Sequence, residues 1–421
     1  MSEEPPLSPG PAAGPLLLAP VVLTGLAIVT FRWHLLAAAA PPLILLVVAL
    51  TLSTPREVRA ERRIDRDVVA EGERVDVRVE LEFEGGAVAA VEDDLPPRGE
   101  VESGTWAALV GATGRVELDY SLRTMRGFWK FRWVRVGFRD PLGVFERWRS
   151  VECRGYLSVM PSLARAGGLR TEAKGVKPLL GRSPSDAPGM GTEFYALRDY
   201  VPGDPMRSIN WKATARLGRL ISNEYEAEKA ADLVIIVDST LPTGVGDGRG
   251  GTLLDVEARV AIALADEALR SGLRVGLASV GGPGVWLGPD WGNRQLLKLG
   301  RTLAVLYPSG GAETAPLVAE SIAVHIGPRT HVAVITPLTG EHWIDAVARL
   351  ASAGRKVTVI SPSPNAFTIP ESPDLATSLA FKVLEARRSL LLSRLRPYAE
   401  VVDWDPRGDL GVIWRRVRLG A

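Results

Sequence analysis

Two uninterrupted apolar runs open the chain. No charged residue falls between Leu7 and Phe31, and between Trp33 and Pro55 only His34 can titrate. Each run exceeds 20 residues, enough for a helix to cross about 30 Å of hydrocarbon. Arg32, Trp33 and His34 between them leave room for a tight turn only. The pattern predicts a transmembrane helical hairpin over residues 1–55, with Pro20, Pro41 and Pro42 tolerated as they are in membrane helices. A cleaved signal sequence starts with basic residues, whereas this chain starts with Glu3 and Glu4. The second run is followed by Arg56, Arg59, Arg62, Arg63 and Arg66, while the turn carries Arg32 alone. The positive-inside rule then places both termini in the cytoplasm of a two-pass cell-membrane protein.

Beyond the hairpin the period changes to two. Val75, Val77, Val79, Leu81 and Phe83 alternate with Asp76, Arg78, Glu80 and Glu82, and Val116, Leu118, Tyr120 and Leu122 repeat the rhythm. Between Trp133 and Val134 the apolar phase slips, which predicts a bulge or a strand boundary. Strands without intervening helices over 56–165 point to a small β-sandwich. Residues 166–190 are rich in Gly, Ser and Pro and read as a linker. From 231 the pattern changes again. Leu233–Asp238 is a continuous apolar run ending in an acid, as in a central parallel strand buried on both faces. Thr252 and Asp255 open a helix with a capping-box spacing. Further strands (274–280, 285–288, 331–335, 357–360) and helices (341–353, 374–394) make residues 231–421 a doubly wound α/β domain.

Composition narrows the chemistry. A net charge of +1 on 421 residues does not suggest a nucleic-acid partner. Phe128–Arg139 interleaves aromatics with arginines, a pattern that can hold single strands, but a strand with one packed face and one basic face accounts for it. Cys153 is the only cysteine, and the four histidines lack metal-binding spacing, so no Cys/His zinc site is expected. No GxSxG elbow occurs. Gly246–Gly251 matches GxGxxG, but it lies too far beyond Asp238 to be the tight turn of a dinucleotide site. No small-molecule substrate is indicated.

The densest run of distinctive residues spans Gly191–Arg216. Arg198, Asp204, Arg207, Lys212 and Arg216 read as an ion-pair network or an anion site. Asp204 is placed to cap a short helix on which Arg207 and Trp211, four apart, would share a face. This run resembles the DUF58 proteins. The N-terminal hairpin, the stretch from Arg126-Gly127-Phe128 to Asp140-Pro141-Leu142-Gly143-Val144-Phe145, and the strand Ala231–Asp238 extend the likeness over nearly the whole chain. The resemblance implies a prokaryotic membrane-anchored protein whose α/β domain is von Willebrand factor A-like (vWA-like). It also implies a MoxR-type AAA+ ATPase as partner, and a signature segment over 166–230.

In such domains the first strand leads into a D-x-S-x-S motif whose oxygens hold Mg²⁺. Here the motif reads Asp238-Ser239-Thr240-Leu241-Pro242, and Thr336-Pro337 stands where an acid follows the later strand. Asp238 and Thr240 remain as a degenerate metal pair, with Thr243 or Asp247 as substitutes for the lost ligands. The expectation is a non-enzymatic scaffold that binds the bilayer and docks protein partners through Arg198, Asp204, Arg207, Trp211, Lys212 and Arg216, without a cofactor. A Mg²⁺-dependent binding module is the alternative. An enzyme is the reading with least support, since no nucleophile–base pair stands out.

Overall fold

The computed structural model describes residues 8–10, 12–51, 58–83, 87–108, 115–139, 142–162, 188–202, 204–226, 232–246, 251–328, 330–365 and 374–406. It divides into two compact units, Met1–Met160 and Pro161–Ala421.

The first unit opens with a short strand, β1 (Ser8–Pro9), and two apolar helices, α1 (Ala13–Thr30) and α2 (His34–Thr51). α1 is shorter than the apolar run that encodes it. Residues Ser8 and Pro9, expected inside the first span, instead pair with Glu146 and Phe145. α1 has 18 residues, about 27 Å at 1.5 Å per residue, and is long and apolar enough to cross a membrane. The apolar stretch of α2, His34–Ala49, is shorter. Proline is accommodated within both helices. Small residues (Ala13, Ala27, Ala39, Ala49) are buried in the pair, while Leu18, Val21, Val29, Ile44 and Val47 point outward.

The strands that follow are β2 (Val58–Ile64), β3 (Val68–Ala70), β4 (Val75–Phe83), β5 (Ala87–Asp93), β6 (Gly99–Gly104), β7 (Ala107–Ala108), β8 (Arg115–Thr124), β9 (Gly127–Arg139) and β10 (Phe145–Met160). They form two sheets, β2-β4-β8-β6 and β1-β10-β9-β5-β7, with β3 alongside β10. The alternating residues of β4 and β8 meet Phe131, Val134, Val136, Phe138, Leu157 and Val159 in one core. This is a sandwich, and the period of two is its cause. A bulge lies next to the predicted slip: the register shifts between Trp133 and Phe131, and the extra residue is on β10, between Glu152 and Gly155. Gly137 lies under the ring of Trp148, whose atoms would stand 3.1 Å from any Cβ added there.

Arg62, counted above among the membrane-flanking cations, belongs to this core. Its side chain is fully buried and ion-paired with Asp93, which also accepts from the Tyr120 hydroxyl at 2.7 Å. Arg62 further donates to the carbonyls of Cys153 and Trp133, and its guanidinium lies 4.8 Å from the Phe131 ring centre. Every polar atom in such a network needs its partner, because burial raises the cost of leaving one unmade. Burial and the neighbouring Asp93 raise the Tyr120 pKa far above its ordinary value.

In the second unit, β11 (Pro188–Asp199) and β12 (Ile221–Glu226) form an antiparallel ribbon, with the short helix α3 (Trp211–Leu217) between them. The α/β part runs β13 (Asp232–Ser239), α4 (Leu253–Arg270), β14 (Arg274–Gly281), β15 (Trp286–Asp290), α5 (Gly292–Val305), α6 (Ala315–His325), β16 (His331–Ile335), α7 (His342–Ser352), β17 (Lys356–Pro362), α8 (Leu375–Leu395) and β18 (Glu400–Trp404). The sheet order is β15-β14-β13-β16-β17-β18, parallel except for the edge strand β15. Successive residues of β13 enter opposite cores. Leu233, Ile235 and Val237 pack with α4 and α5, while Val234 and Ile236 pack with α6, α7 and α8. The sheet is therefore doubly wound, and the unbroken apolar run of β13 follows from burial on both sides. Thr252 and Asp255 make the capping box of α4. The β14–β15 turn needs glycine at Gly281, where φ is +80° and an added Cβ would lie 2.6 Å from the Ser309 carbonyl oxygen.

Two stability predictions follow from these buried groups. Replacing Asp93 with Ala should cost roughly 3–5 kcal/mol in chemical denaturation, because Arg62 is left charged and unpaired. The apolar pair Arg62→Met with Asp93→Leu should recover most of that loss. His331 is buried, with its ring 2.9 Å from the Thr358 hydroxyl, and burial pushes its pKa down to about 4. A base with a lowered folded pKa stabilises above its unfolded value and loses that contribution as pH falls through the folded one. The α/β part should therefore lose stability from about pH 6.5 toward pH 4, and His331→Gln should flatten that slope in melting curves.

Candidate functional site

The signature run and the end of β13 hold the candidate residues. In the run, Asp204 does not cap the helix carrying Trp211. Pro205 is extended (φ −59°, ψ 131°), Met206–Ser208 makes a single 3-10 turn, and Ile209 is extended again. α3 starts only at Trp211, with Asn210 as its cap, accepting from the Ala213 N–H at 3.0 Å. Arg207 thus sits in the separate turn and does not share a helix face with Trp211; its side chain lies outside the described residues.

Asp204 instead closes a turn against the ribbon. It takes both guanidinium nitrogens of Arg198 at 2.8 Å and the Val201 N–H at 3.1 Å. The Arg198 bonds come first among the causes that hold the Asp204 carboxyl below the usual range. Arg219 pairs with Asp199 at 3.1 Å. Ile221 N–H donates to the Thr214 hydroxyl at 3.1 Å, and Asn210 donates to Asn223 at 2.8 Å, tying α3 to β12. Of the predicted network, Arg198 and Asp204 are joined. Lys212 and Arg216 project from α3 without an ion pair among the described residues.

No residue of α3 is buried. Trp211 is 62% exposed and Met206 71%, with Val201, Leu217 and Leu220 also open. An isolated seven-residue helix is unstable in water, because nucleation is costly. Here the Asn210 cap, Thr214 and the left-handed Gly218 (φ +66°) hold it on the ribbon while its large apolar side chains face out.

The other candidate pair is tightly enclosed. Val237 lies opposite Ile335, which makes Asp238 and Thr336 neighbours at the carboxyl ends of β13 and β16. This is the point where the sheet order reverses, the usual ligand position in such sheets. Asp238 accepts the Thr240 N–H at 3.0 Å and the Thr240 hydroxyl at 2.6 Å on Oδ1. Oδ2 accepts the Thr336 hydroxyl at 2.7 Å, and Thr336 in turn accepts the N–H of Leu338, whose φ is +56°. Asp238, Ser239, Thr240, Thr243 and Thr336 are all fully buried. The Trp343 indole N–H lies near enough to favour the Asp238 carboxylate, yet makes no hydrogen bond of normal geometry. Desolvation dominates, and it raises the Asp238 pKa. Thr336 is the partner that sequence reasoning missed. In the sequence Thr336 stands out only where an acid is missing, since its place beside Asp238, 98 residues away, depends on the pairing of β13 with β16.

These residues do not fit a resident Mg²⁺. A hard divalent ion takes six or more oxygens, carboxylates prominent among them. The two oxygens of Asp238 already accept three hydrogen bonds, and the Thr240 and Thr336 hydroxyls spend their protons on it. No group of three His, Cys, Asp or Glu suited to a metal occurs among the described residues. Thr243 donates to the Thr240 carbonyl at 2.7 Å, while Asp247 and most of the Gly246–Gly251 loop lie outside the described residues.

Residues 196–372 match the family model described as "Protein of unknown function DUF58". The chain is 24% identical over 337 residues to the "Uncharacterized protein YeaD" of Bacillus subtilis (strain 168), covering 78% of this chain and 81% of that protein. Among solved structures, the cupredoxin domain of amoB from Nitrosocaldus yellowstonii aligns with 26% of this chain and 90% of its own, at 10% identity and a TM-score of 0.19. A FixG-related protein from Vibrio parahaemolyticus aligns with 25% and 98%, at 10% identity and a TM-score of 0.18. Likenesses at such scores carry no argument about this chain.

The Asp238 clasp makes a testable pH prediction. A raised carboxyl pKa means the folded state holds a proton that the unfolded chain has released, so stability falls as pH rises from 3.8 through the folded value. Asp238→Asn, which can accept from Thr240 and donate to Thr336, should stay folded and remove that fall. Asp238→Ala strands three donors and should cost at least about 2 kcal/mol. Melting curves of both variants across pH check it.

Proposed function

We propose that this protein is a non-enzymatic membrane-anchored scaffold whose cytoplasmic part docks protein partners. The observation that carries the reading is α3, a helix with no buried residue that holds Trp211 outward. Exposed large aromatics on a rigid support are the usual anchors of protein interfaces, whereas surface helices of isolated domains turn such residues inward. The Arg198–Asp204 fork and the Asn210 cap supply the rigidity.

In this reading the α1–α2 hairpin is a two-pass anchor. Its outward leucines, valines and isoleucines and inward alanines suit lipid rather than water. Exposed Arg59, Arg63 and Arg66 keep the charge bias that puts both termini in the cytoplasm, even with Arg62 withdrawn into the core. The doubly wound domain is vWA-like, and the partner is a MoxR-type AAA+ ATPase, as resemblance to the DUF58 proteins implies. The Mg²⁺-dependent alternative has against it the hydroxyls already bonded to Asp238 and the lack, among the described residues, of a group of three His, Cys, Asp or Glu suited to a metal.

The test is a pull-down from the native host with the full detergent-solubilised chain, with and without ATP and Mg²⁺. The wild type should recover an AAA+ ATPase. Loss of a hot-spot aromatic costs about 2 kcal/mol or more, so Trp211→Ala should weaken capture by about 30-fold while EDTA changes little. Recovery of the ATPase at equal levels by Trp211→Ala would remove the signature segment from the interface. Capture abolished by EDTA and by Asp238→Asn would favour the metal-dependent module.

A further inference from the structure

The outward face of α3 carries a charge pattern as well as an anchor. Trp211 and Ala215 form one exposed row at a spacing of four, and Lys212 and Arg216 form the row beside it. Ala213 and Thr214, less exposed, complete the helix on the ribbon side, where Thr214 accepts from Ile221. Two like charges one turn apart repel each other, and here nothing in the described chain relieves them. Between Leu197 and Asn223 the only acids are Asp199 and Asp204. Asp199 is engaged by Arg219 and Asp204 by Arg198.

Much of the sandwich surface is arranged differently. There several exposed arginines have carboxylates at hand: Arg63 with Glu61, Arg78 with Asp119, Arg115 with Glu80, Arg123 with Glu102, Arg154 with Glu152. The whole chain is close to neutral at +1, so the positive field at α3 is local and acts at contact range.

From this geometry, and resting on the docking reading above, we infer that the α3 face is built to receive an acidic, apolar segment of the partner protein. An apolar side chain of that segment covers Trp211 and Ala215, and carboxylates one turn apart meet Lys212 and Arg216. Both interactions are of the kind that set orientation and partner choice. An anionic membrane offers negative charge too, but a uniform negative sheet would also press on Asp199, Asp204 and their neighbours. A segment with acids placed on one side of an apolar row avoids that repulsion.

The experiment uses the full chain in nanodiscs of zwitterionic lipid and three fluorescein-labelled helical peptides. All three carry the same leucine row, flanked by Glu, Gln or Lys. Anisotropy should show the Glu peptide binding at least tenfold tighter than the Gln peptide, with the Lys peptide not bound, and the preference should shrink as salt rises. Lys212→Glu with Arg216→Glu should reverse the order, and Trp211→Ala should weaken all binding. The milder pair Lys212→Gln with Arg216→Gln, checked by melting, should abolish the discrimination in a folded chain. Equal binding of the Glu and Gln peptides, binding of none, or a preference unchanged by charge reversal would overturn the inference. So would loss of Glu-peptide binding on moving to anionic nanodiscs, which would make the face a lipid site. If the peptides discriminate as expected but Trp211→Ala leaves ATPase capture intact, the charge assignment stands and the ATPase reading fails.

Discussion

Burial of β13 on both faces is the constraint from which the α/β part of this protein follows. A strand with helices above and below must be apolar along its whole length, and its backbone must be paired on both edges by β14 and β16. It must also end where polar groups can be satisfied, and Asp238 stands at that end. With no solvent to reach, its carboxylate takes its donors from Thr240, two residues on, and from Thr336 across the switch point. The position where such sheets bind ligands is thereby closed by the protein's own hydroxyls. What could have been a metal centre works as a clasp between the two halves of the sheet.

The same requirement organises the sandwich. Arg62 and Asp93 are buried among aromatics and tied to Tyr120 and to backbone carbonyls. A buried pair of this kind contributes little net stability over an apolar one. Its effect is on register: a slip of one residue in β2 would turn Arg62 out and an apolar neighbour's place would be lost. The Arg62–Asp93 pair in the sandwich and Asp238 in the α/β part both draw their partners from the chain itself.

Much of this was legible in the residues. The period-two alternation of β4 and β8, the run of β13 and the Thr252–Asp255 box each have one dominant local cause, and each appears as expected, while the break expected at Trp133–Val134 falls one step away, with its extra residue on β10. Elements governed by tertiary contact were not legible. α5 and α6 escaped notice because their apolar positions make sense only against faces supplied by other strands. Arg62 read as a flanking cation because nothing near it in sequence reveals Asp93, 31 residues away. Asp204 had a capping residue's identity, but Pro205 and Ile209 are extended and delay the helix until Asn210 can cap it. The apolar run from Leu7 promised a longer span, yet pairing of Ser8 and Pro9 with β10 shortens it to α1.

The exposure of Trp211 is the least predictable feature and the most informative. Aromatic residues at helical spacing are ordinarily core, and by sequence alone Trp211 belongs with Trp343, which is fully buried in α7. The difference is that α7 has a sheet to lie on, whereas α3 is held by a cap, a hydroxyl and a ribbon too narrow to cover it. A helix this short, stabilised by polar ties and with no residue buried, is costly, whereas the other helices of the α/β part each bury several side chains. The cost makes sense if the missing cover belongs to another molecule. Lys212 and Arg216 beside the indole, without an ion pair among the described residues, are the reason to infer that such a cover would carry carboxylates.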